Sequence, residues 1–511
     1  LRIITALENG AYCQYGNRDE IMSKRKKIII PLISVAVIYL VLLIPIPEPT
    51  PDRGSERNPF TWNQDQVWLE FEKRFLEFRA LGCDSLGPLI ELSLARNIGM
   101  LDSLSAVPVP PDSPILKQLE ESAFSSAIMI AACPRYLGDF QALAVRLRNE
   151  VKSQSRHWDM TQFPAQVAAY RLLYGVRGAL EEIMLQAGPD TLSPLLVCND
   201  EPSATASTRI LGVEIHSGDI LISRGGAPTS ALIARGNNFQ GNFSHAALVY
   251  VDPKTNLAKI IESHIERGMT VSPPEDYLRD TKLRVMILRP RHDLPSLTAD
   301  PMLPHKAASL ALKEAGERHV PYDFEMDTEE PLKKYCSEVV SEPYSRAGMK
   351  LWTKTTHISS PGAVSWLAAF GVRNFETQAP SDLEYDPQLV VVAEWRDIET
   401  LWKDHVDNAV IDAMLEDADR GERLDFNLPM LPLGRIAKAY SWILNLFGGV
   451  GPVPEGMSAV AALKNKSFGE RHQAIKSRTL ELAARFQETA GYRPPYWELL
   501  RLARQAMDDL D

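Results

Sequence analysis

Five cysteines in 511 residues are too few for a disulfide scaffold or a zinc-ribbon array, and no C-x-x-C pair occurs. Positive charge is also scarce: 55 Lys and Arg stand against 66 Asp and Glu, a formal net charge of -11. That balance excludes a broad nucleic-acid surface, which needs clustered cations against phosphate. There is no G-x-S-x-G, no H-E-x-x-H, no Walker loop and no dinucleotide fingerprint. Gly225-Gly226 and Gly236 are too sparse to cradle a phosphate, and the histidines show no metal-ligand spacing. What is present is ordinary globular material, 45% hydrophobic and 24% charged, which excludes a disordered or collagen-like chain. The length suggests about three domains.

One long apolar run stands out. Ile28 to Ile44 carries no charge, has Ser34 as its only strongly polar residue, and continues apolar to Pro47. A run of about 20 residues can cross a bilayer. Lys24, Arg25, Lys26 and Lys27 precede it, so the positive-inside rule keeps the N-terminus cytoplasmic and exports the rest. Pro45-Ile46-Pro47-Glu48 is a poor cleavage site and no cysteine follows closely. The expectation is a retained single-pass signal-anchor over 28–47, with a cleaved signal peptide as the competing reading. Met22-Ser23-Lys24 makes a natural start, which would make residues 1–21 an upstream addition. In an oxidising compartment Cys83, Cys133 and Cys198 could supply a disulfide, Cys83 with Cys133 being one pairing; buried free thiols are the alternative.

The remainder divides by texture. Five prolines between Pro45 and Pro59 make a stiff spacer through residue 62. Val67, Phe71, Phe75 and Phe78 then recur at helical spacing, and further helical runs near 86–105, 115–132, 137–157 and 164–186 predict a bundle over 63–190. Residues 191–215, rich in Pro, Ser, Thr and Asp, read as a linker. Short apolar strands follow at Asp219–Ile222, Ala246–Val251, Ala258–Glu262 and Leu283–Leu288. The second and third are joined by turn chemistry at Asp252–Asn256. Helices at about 303–317 and from Tyr335 to Gly348 complete an α+β domain over 216–360. Residues 361–511 read as mostly helical, with one strand-like run at Leu389–Ala393. The apolar patch Trp442–Gly451 is read as a buried core segment in preference to a membrane contact.

A cysteine and a histidine carry the suggestive chemistry. Cys336 sits at the expected start of a helix, where free N–H groups and the helix dipole favour a thiolate; Lys333 and Lys334 would push the same way. His245 stands at the mouth of a strand, after Ser244, where an imidazole could take a thiol proton and deliver it to a leaving group. A third group should orient the imidazole. Glu262 and His264 both qualify, being two residues apart and so on one face of a strand. Glu262 is favoured because a carboxylate inside an apolar run needs a partner.

Five stretches in order extend this pattern: Gly218-Asp219-Ile220-Leu221, Ser244-His245, Ile260-Ile261-Glu262, Val320-Pro321-Tyr322-Asp323-Phe324 and Tyr335-Cys336-Ser337-Glu338. Together they resemble the permuted papain-like amidases, the YiiX/YaeF-like branch of the NlpC-type cysteine hydrolases, in which the strand bearing His precedes the helix bearing Cys. The resemblance covers roughly residues 216–350. It implies a circularly permuted papain-like domain: a small antiparallel sheet with flanking helices, here preceded by a helical bundle and followed by a helical tail. It implies Cys336 as nucleophile, His245 as general base, Glu262 as the polar third member and the Cys336 main-chain N–H as an oxyanion donor. Tyr335, Tyr322, Asp323 and Ser244 would line the pocket. The residues before Tyr322 depart from the family's Gly-Lys pattern, being Glu317-Arg318-His319-Val320-Pro321.

The resulting expectation is a membrane-anchored hydrolase or acyltransferase, in a bacterial inner membrane with its bulk in the periplasm. It would cut an amide, ester or thioester of the envelope, such as a peptidoglycan peptide or a lipid, without cofactor or metal. The helical domain could take a protein partner. The alternative is a non-catalytic envelope scaffold that keeps the fold, since more than half of the exported chain lies outside the hydrolase-like segment.

Overall fold

The computed structural model describes residues 30, 33–44, 59–62, 64–188 and 191–510. The basic run at 24–27, both ends of the apolar run and the spacer through 58 lie outside them. Within the apolar run a helix, α1, spans 33–42. Among the described residues no helix is long and apolar enough to cross a membrane, so the expected transmembrane helix is not supported.

The bundle forms where the 3.6-residue apolar spacing predicts it. It comprises α2 (Gln64–Leu81), α3 (Cys83–Ala106), α4 (Pro114–Ala132), α5 (Leu137–Ser155), α6 (Phe163–Tyr170) and α7 (Val176–Gln186). A π turn at Arg171–Gly175 joins the last two, and Pro164 sits in the first turn of α6. Leu86, Ile90, Leu119, Phe140, Leu147 and Ile183 make its core. In the expected aromatic stripe Phe75 is buried, and Phe71 and Phe78 are half-buried. A disulfide joins Cys83, which opens α3, to Cys133, which follows α4, across a sequence separation of 50. Closing a loop of that size removes about 4 kcal/mol of chain entropy from the unfolded state. Replacing both cysteines with serine is expected to lower the unfolding free energy by an amount of that order, read as a lower denaturant midpoint by circular dichroism.

The sheet has seven strands, all antiparallel, in the order β1-β11-β8-β4-β5-β6-β7. They are β1 (Leu195–Val197), β4 (Ile220–Gly225), β5 (His245–Val251), β6 (Ala258–His264), β7 (Gly268–Ser272), β8 (Lys282–Pro290) and β11 (Leu389–Arg396). A separate hairpin pairs β2 (Ser207–Ile210) with β3 (Val213–His216), and another pairs β9 (Thr356–His357) with β10 (Glu376–Thr377). The stretch read as a linker over 191–215 therefore contributes strands, and the strand-like run at 389–393 lies inside the main sheet. These strands read as unbroken apolar runs because both sheet faces are covered. Alternate residues Ile220, Ile222, Leu248 and Met286 face a core shared with α11 (Leu303–Glu317) and α12 (Glu338–Ala347). Leu221, Val249, Val285 and Ile287 face Val213 and Ile215 of the small hairpin. Short helices α8 (Pro228–Arg235), α9 (Pro274–Arg279) and α10 (Pro295–Ala299) fill the connections.

Buried charges join bundle to sheet. Arg284 of β8 donates to Glu181 of α7 at 2.6 and 3.1 Å and pairs with Asp404 at 2.5 Å. Arg177 donates to Glu181 at 2.9 Å and to Glu384 at 2.7 and 2.9 Å. Removing one member leaves its partners desolvated and uncompensated. Arg284→Ala is therefore expected to destabilise the chain by roughly 3–5 kcal/mol, read as a lowered thermal midpoint.

The C-terminal region adds α13 (Pro361–Phe370), α14 (Ile398–Asp419), α15 (Leu431–Leu446), α16 (Ala459–Ala490) and α17 (Tyr496–Asp508). Val410, Met414, Phe468, Leu499 and Ala503 give α14, α16 and α17 a common core that also takes in α13. The patch Trp442–Gly451 does not join it. Phe447 is 84% exposed and Trp442 63%, which overturns the expectation of a buried segment.

Candidate active site

His245 is the first residue of β5, so its ring lies at the end of the sheet. The β5–β6 hairpin pairs Leu248 with Ile261 and Val251 with Ala258. Carried on, that register sets His245 opposite His264 and diagonal to Glu262, a separation that long side chains span. Glu262 indeed lies between the two rings. Its carboxylate is 2.7 Å from His245 Nε2 and 3.1 Å from His264 Nε2. The rings stack with centroids 5.8 Å apart. Both candidates for the third position thus lie beside His245, but only Glu262 is hydrogen-bonded to it; His264 stacks on its ring and bonds to Glu262. Glu262 is 2% exposed. Burial would raise its pKa, but the two imidazole hydrogen bonds hold it well below the usual carboxylate range.

Cys336 lies in the turn leading into α12, two residues before its first residue, and is 6% exposed. Its Sγ donates to the carbonyl oxygen of Ser244, the residue before His245, at 4.0 Å, and His245 acts on its charge. His245 Nε2 is taken by Glu262, which leaves Nδ1 for the thiol. Burial opposes charge on both groups, but their mutual hydrogen bond and attraction outweigh it. The thiol is lowered, and His245, further supported by Glu262, is raised to about 9. Both shifts favour the thiolate and imidazolium form of the pair. The Cys336 main-chain N–H has no protein acceptor among the described residues, as an oxyanion donor requires.

One expected influence on the thiol is corrected. Lys334 is turned away into an ion pair with Glu314 at 2.5 Å and another with Glu342, so its charge is spent there. Glu338, two residues beyond the thiol, would oppose a thiolate if charged. Burial, together with the nearby Asp323, pushes it up to about 8, and its carboxyl accepts the Tyr335 N–H at 2.9 Å.

Beside the sulfur is a cavity of about 30 Å³. Ser244, Tyr322 and Tyr335 line it, as expected. Asp323 does not: its carboxylate closes a turn by accepting the N–H groups of Glu325 at 3.0 Å and Asp327 at 2.6 Å. The walls also include Asn237, Ile358, Leu367 and Gln378, which no motif singled out. Asn237 Oδ1 and Gln378 Oε1 are buried without a hydrogen-bond partner in the protein. Thr356 lines this cavity and also a larger one of about 870 Å³, which reaches Phe163 and Tyr170 of the bundle and Phe239, Trp352 and Tyr385. Asp382 accepts a hydrogen bond from Thr356 there and is raised to about 7 by burial. Among the described residues no group of three or more His, Cys, Asp or Glu is placed to hold a metal ion.

Comparison with known proteins bears on this geometry. Residues 214–393 match the family model described as permuted papain-like amidase enzyme, YaeF/YiiX, C92 family. No curated protein matches the chain. Among solved structures the chain is similar to one described as metalloprotein yiiX from Escherichia coli O157:H7, at 19% identity and a TM-score of 0.29. That likeness covers 34% of this chain and 95% of that one. The match takes in β3 through most of β11 and every residue of the Cys336, His245 and Glu262 cluster. The segment 214–393 of this chain thus carries the domain of the permuted papain-like amidase family that the five motifs resemble.

Proposed function

We propose that this protein is a cysteine-dependent hydrolase that opens an acyl bond at Cys336, held at a membrane with its bulk exported. The observation that carries the reading is the placement of the Cys336 sulfur at the mouth of β5, 4.0 Å from the Ser244 carbonyl, next to a His245 ring held by Glu262 at 2.7 Å. In this reading the Cys336 thiolate attacks the acyl carbon. Its C–S bond forms as the carbonyl π electrons move to oxygen, which the Cys336 N–H receives. His245 then gives its proton to the leaving group as the tetrahedral centre collapses to a thioester. A water that His245 deprotonates attacks that thioester and releases acid and thiolate. Glu262 keeps the imidazole oriented and stabilises its charged form.

Between amide, ester and thioester, the amide is favoured. The buried oxygens of Asn237 and Gln378 are unpaired acceptors beside the sulfur, and a substrate N–H satisfies such groups where an ester cannot. The aromatic cavity beyond Thr356 offers room for the rest of the substrate. Export is supported by the disulfide between Cys83 and Cys133, which belongs to an oxidising compartment. The anchor is supported by the uncharged run after Lys24–Lys27. The test is hydrolysis of peptidoglycan-derived peptides against matched esters by the full chain, with Cys336→Ala as control. Turnover that survives the substitution, or esters cleaved in preference to amides, would count against the corresponding part of the reading.

A further inference from the structure

We infer that α15 and the loop after it form a bilayer-docking face that lays the C-terminal region on the lipid surface. The inference rests on the proposed membrane location and adds a second contact to it. Leu433, Ile436, Tyr440, Ile443 and Phe447 recur at spacings of three, four, three and four, which places them along one side of the helix. Such a stripe normally faces a core. Here each of the five is between 48% and 84% exposed. The opposite side already has its partners. Leu431 and Ser441 are buried, Ala437 packs with Val453, Met457 and Ala461, and Ser441 Oγ accepts the Val453 N–H at 2.9 Å. The helix is thus seated on the protein by its small and polar side and presents its large apolar side outward. Glycine at 434 serves that seating, since a Cβ there would meet the Leu463 side chain at 3.2 Å.

Two observations identify lipid as the occupant. The first is continuity with the N-terminal apolar run. Tyr39 Oη donates to the Pro429 carbonyl at 2.9 Å, and Arg435 donates to the Ile44 carbonyl at 2.6 Å. These bonds hold α1 beside the start of α15. Yet the two helices do not cover each other: Val35, Leu40 and Ile44 are 61–64% exposed. One apolar surface therefore runs from α1 onto α15. The second is charge. Residues 426–454 contain Arg435 and Lys438 and no Asp or Glu, in a chain whose net charge is -11. Large apolar side chains, an exposed Trp and a helix whose own charges, Arg435 and Lys438, are both cationic suit an anionic lipid interface.

The test uses the full chain with vesicles of phosphatidylcholine and phosphatidylglycerol whose acyl chains carry bromine. The fluorescence difference between the wild type and Trp442→Phe isolates the Trp442 signal. Most of that signal is expected to be lost to bromine quenching. The triple variant Ile436→Glu, Ile443→Glu, Phe447→Glu alters only exposed side chains and should abolish the quenching while leaving the circular dichroism spectrum unchanged. Carbonate extraction of the same vesicles reports the anchor separately. A chain that resists extraction with Trp442 unquenched overturns the docking face and leaves the anchor standing. A chain that is extracted, yet shows quenching before extraction, keeps the docking face and removes the anchor. Concentration-dependent dimers in sedimentation that the triple variant dissolves, with no quenching, would assign the face to a second copy and overturn the inference.

Discussion

Cys336→Ala is expected to remove acyl hydrolysis almost entirely, by on the order of 10⁵-fold or more, equivalent to about 7 kcal/mol of transition-state stabilisation. The size follows from the chemistry: without sulfur there is no covalent intermediate, and His245 and the oxyanion donor have nothing to act upon. Folding should survive, because the side chain is small and its cavity is only about 30 Å³. The measurements are kcat/KM on an amide substrate and the thermal midpoint of the same variant. A second readout uses the wild type. Iodoacetamide should alkylate Cys336 well below the pH at which an ordinary thiol reacts, since the thiolate persists down to the lowered thiol pKa. Labelling that begins only near the free-thiol range would deny the ion pair.

Glu262→Gln is expected to cost roughly 10²- to 10⁴-fold in kcat/KM and to reshape the pH profile. The wild-type profile should be a bell. Its rising limb follows ionisation of the Cys336 thiol, and its falling limb follows loss of the His245 proton at about 9. The His245 value is raised partly by the 2.7 Å bond to Glu262. Replacing that carboxylate with a neutral amide removes support for the imidazolium, so the falling limb moves to lower pH. His264 also touches Glu262 but does not contact His245 through a hydrogen bond, so His264→Ala should have a much smaller effect on rate. A rate unchanged in Glu262→Gln, or a falling limb that stays in place, would show that the carboxylate serves only the fold.

Much of this site was legible before the structure. His245, Glu262, Cys336 and the strands or helix bearing them follow from local pattern: apolar runs of strand length, turn residues at 252–256 and a polar residue inside an apolar strand. The helix over Leu303–Glu317 was bounded by the same reasoning. The Lys334 expectation failed for a reason local pattern does not carry. Neighbours in sequence before a helix start can point apart, and Glu314 of α11 and Glu342 of α12, one on each flanking helix, claim the ammonium. Asp323 failed similarly, because its own backbone turn used its carboxylate.

What the chain determined by itself is its periodicity: which segments coil, which extend, and that a thiol stands just before one helix while an imidazole opens one strand. Those properties depend on residues a few positions apart, so they can be read along the string. Only the tertiary structure decided which of Glu262 and His264 meets His245, that Asn237 and Gln378 wall the sulfur, and that the apolar side of α15 looks outward. Each of these depends on groups brought together across tens to hundreds of residues, and hydrophobic spacing states that a face exists without stating what it will meet.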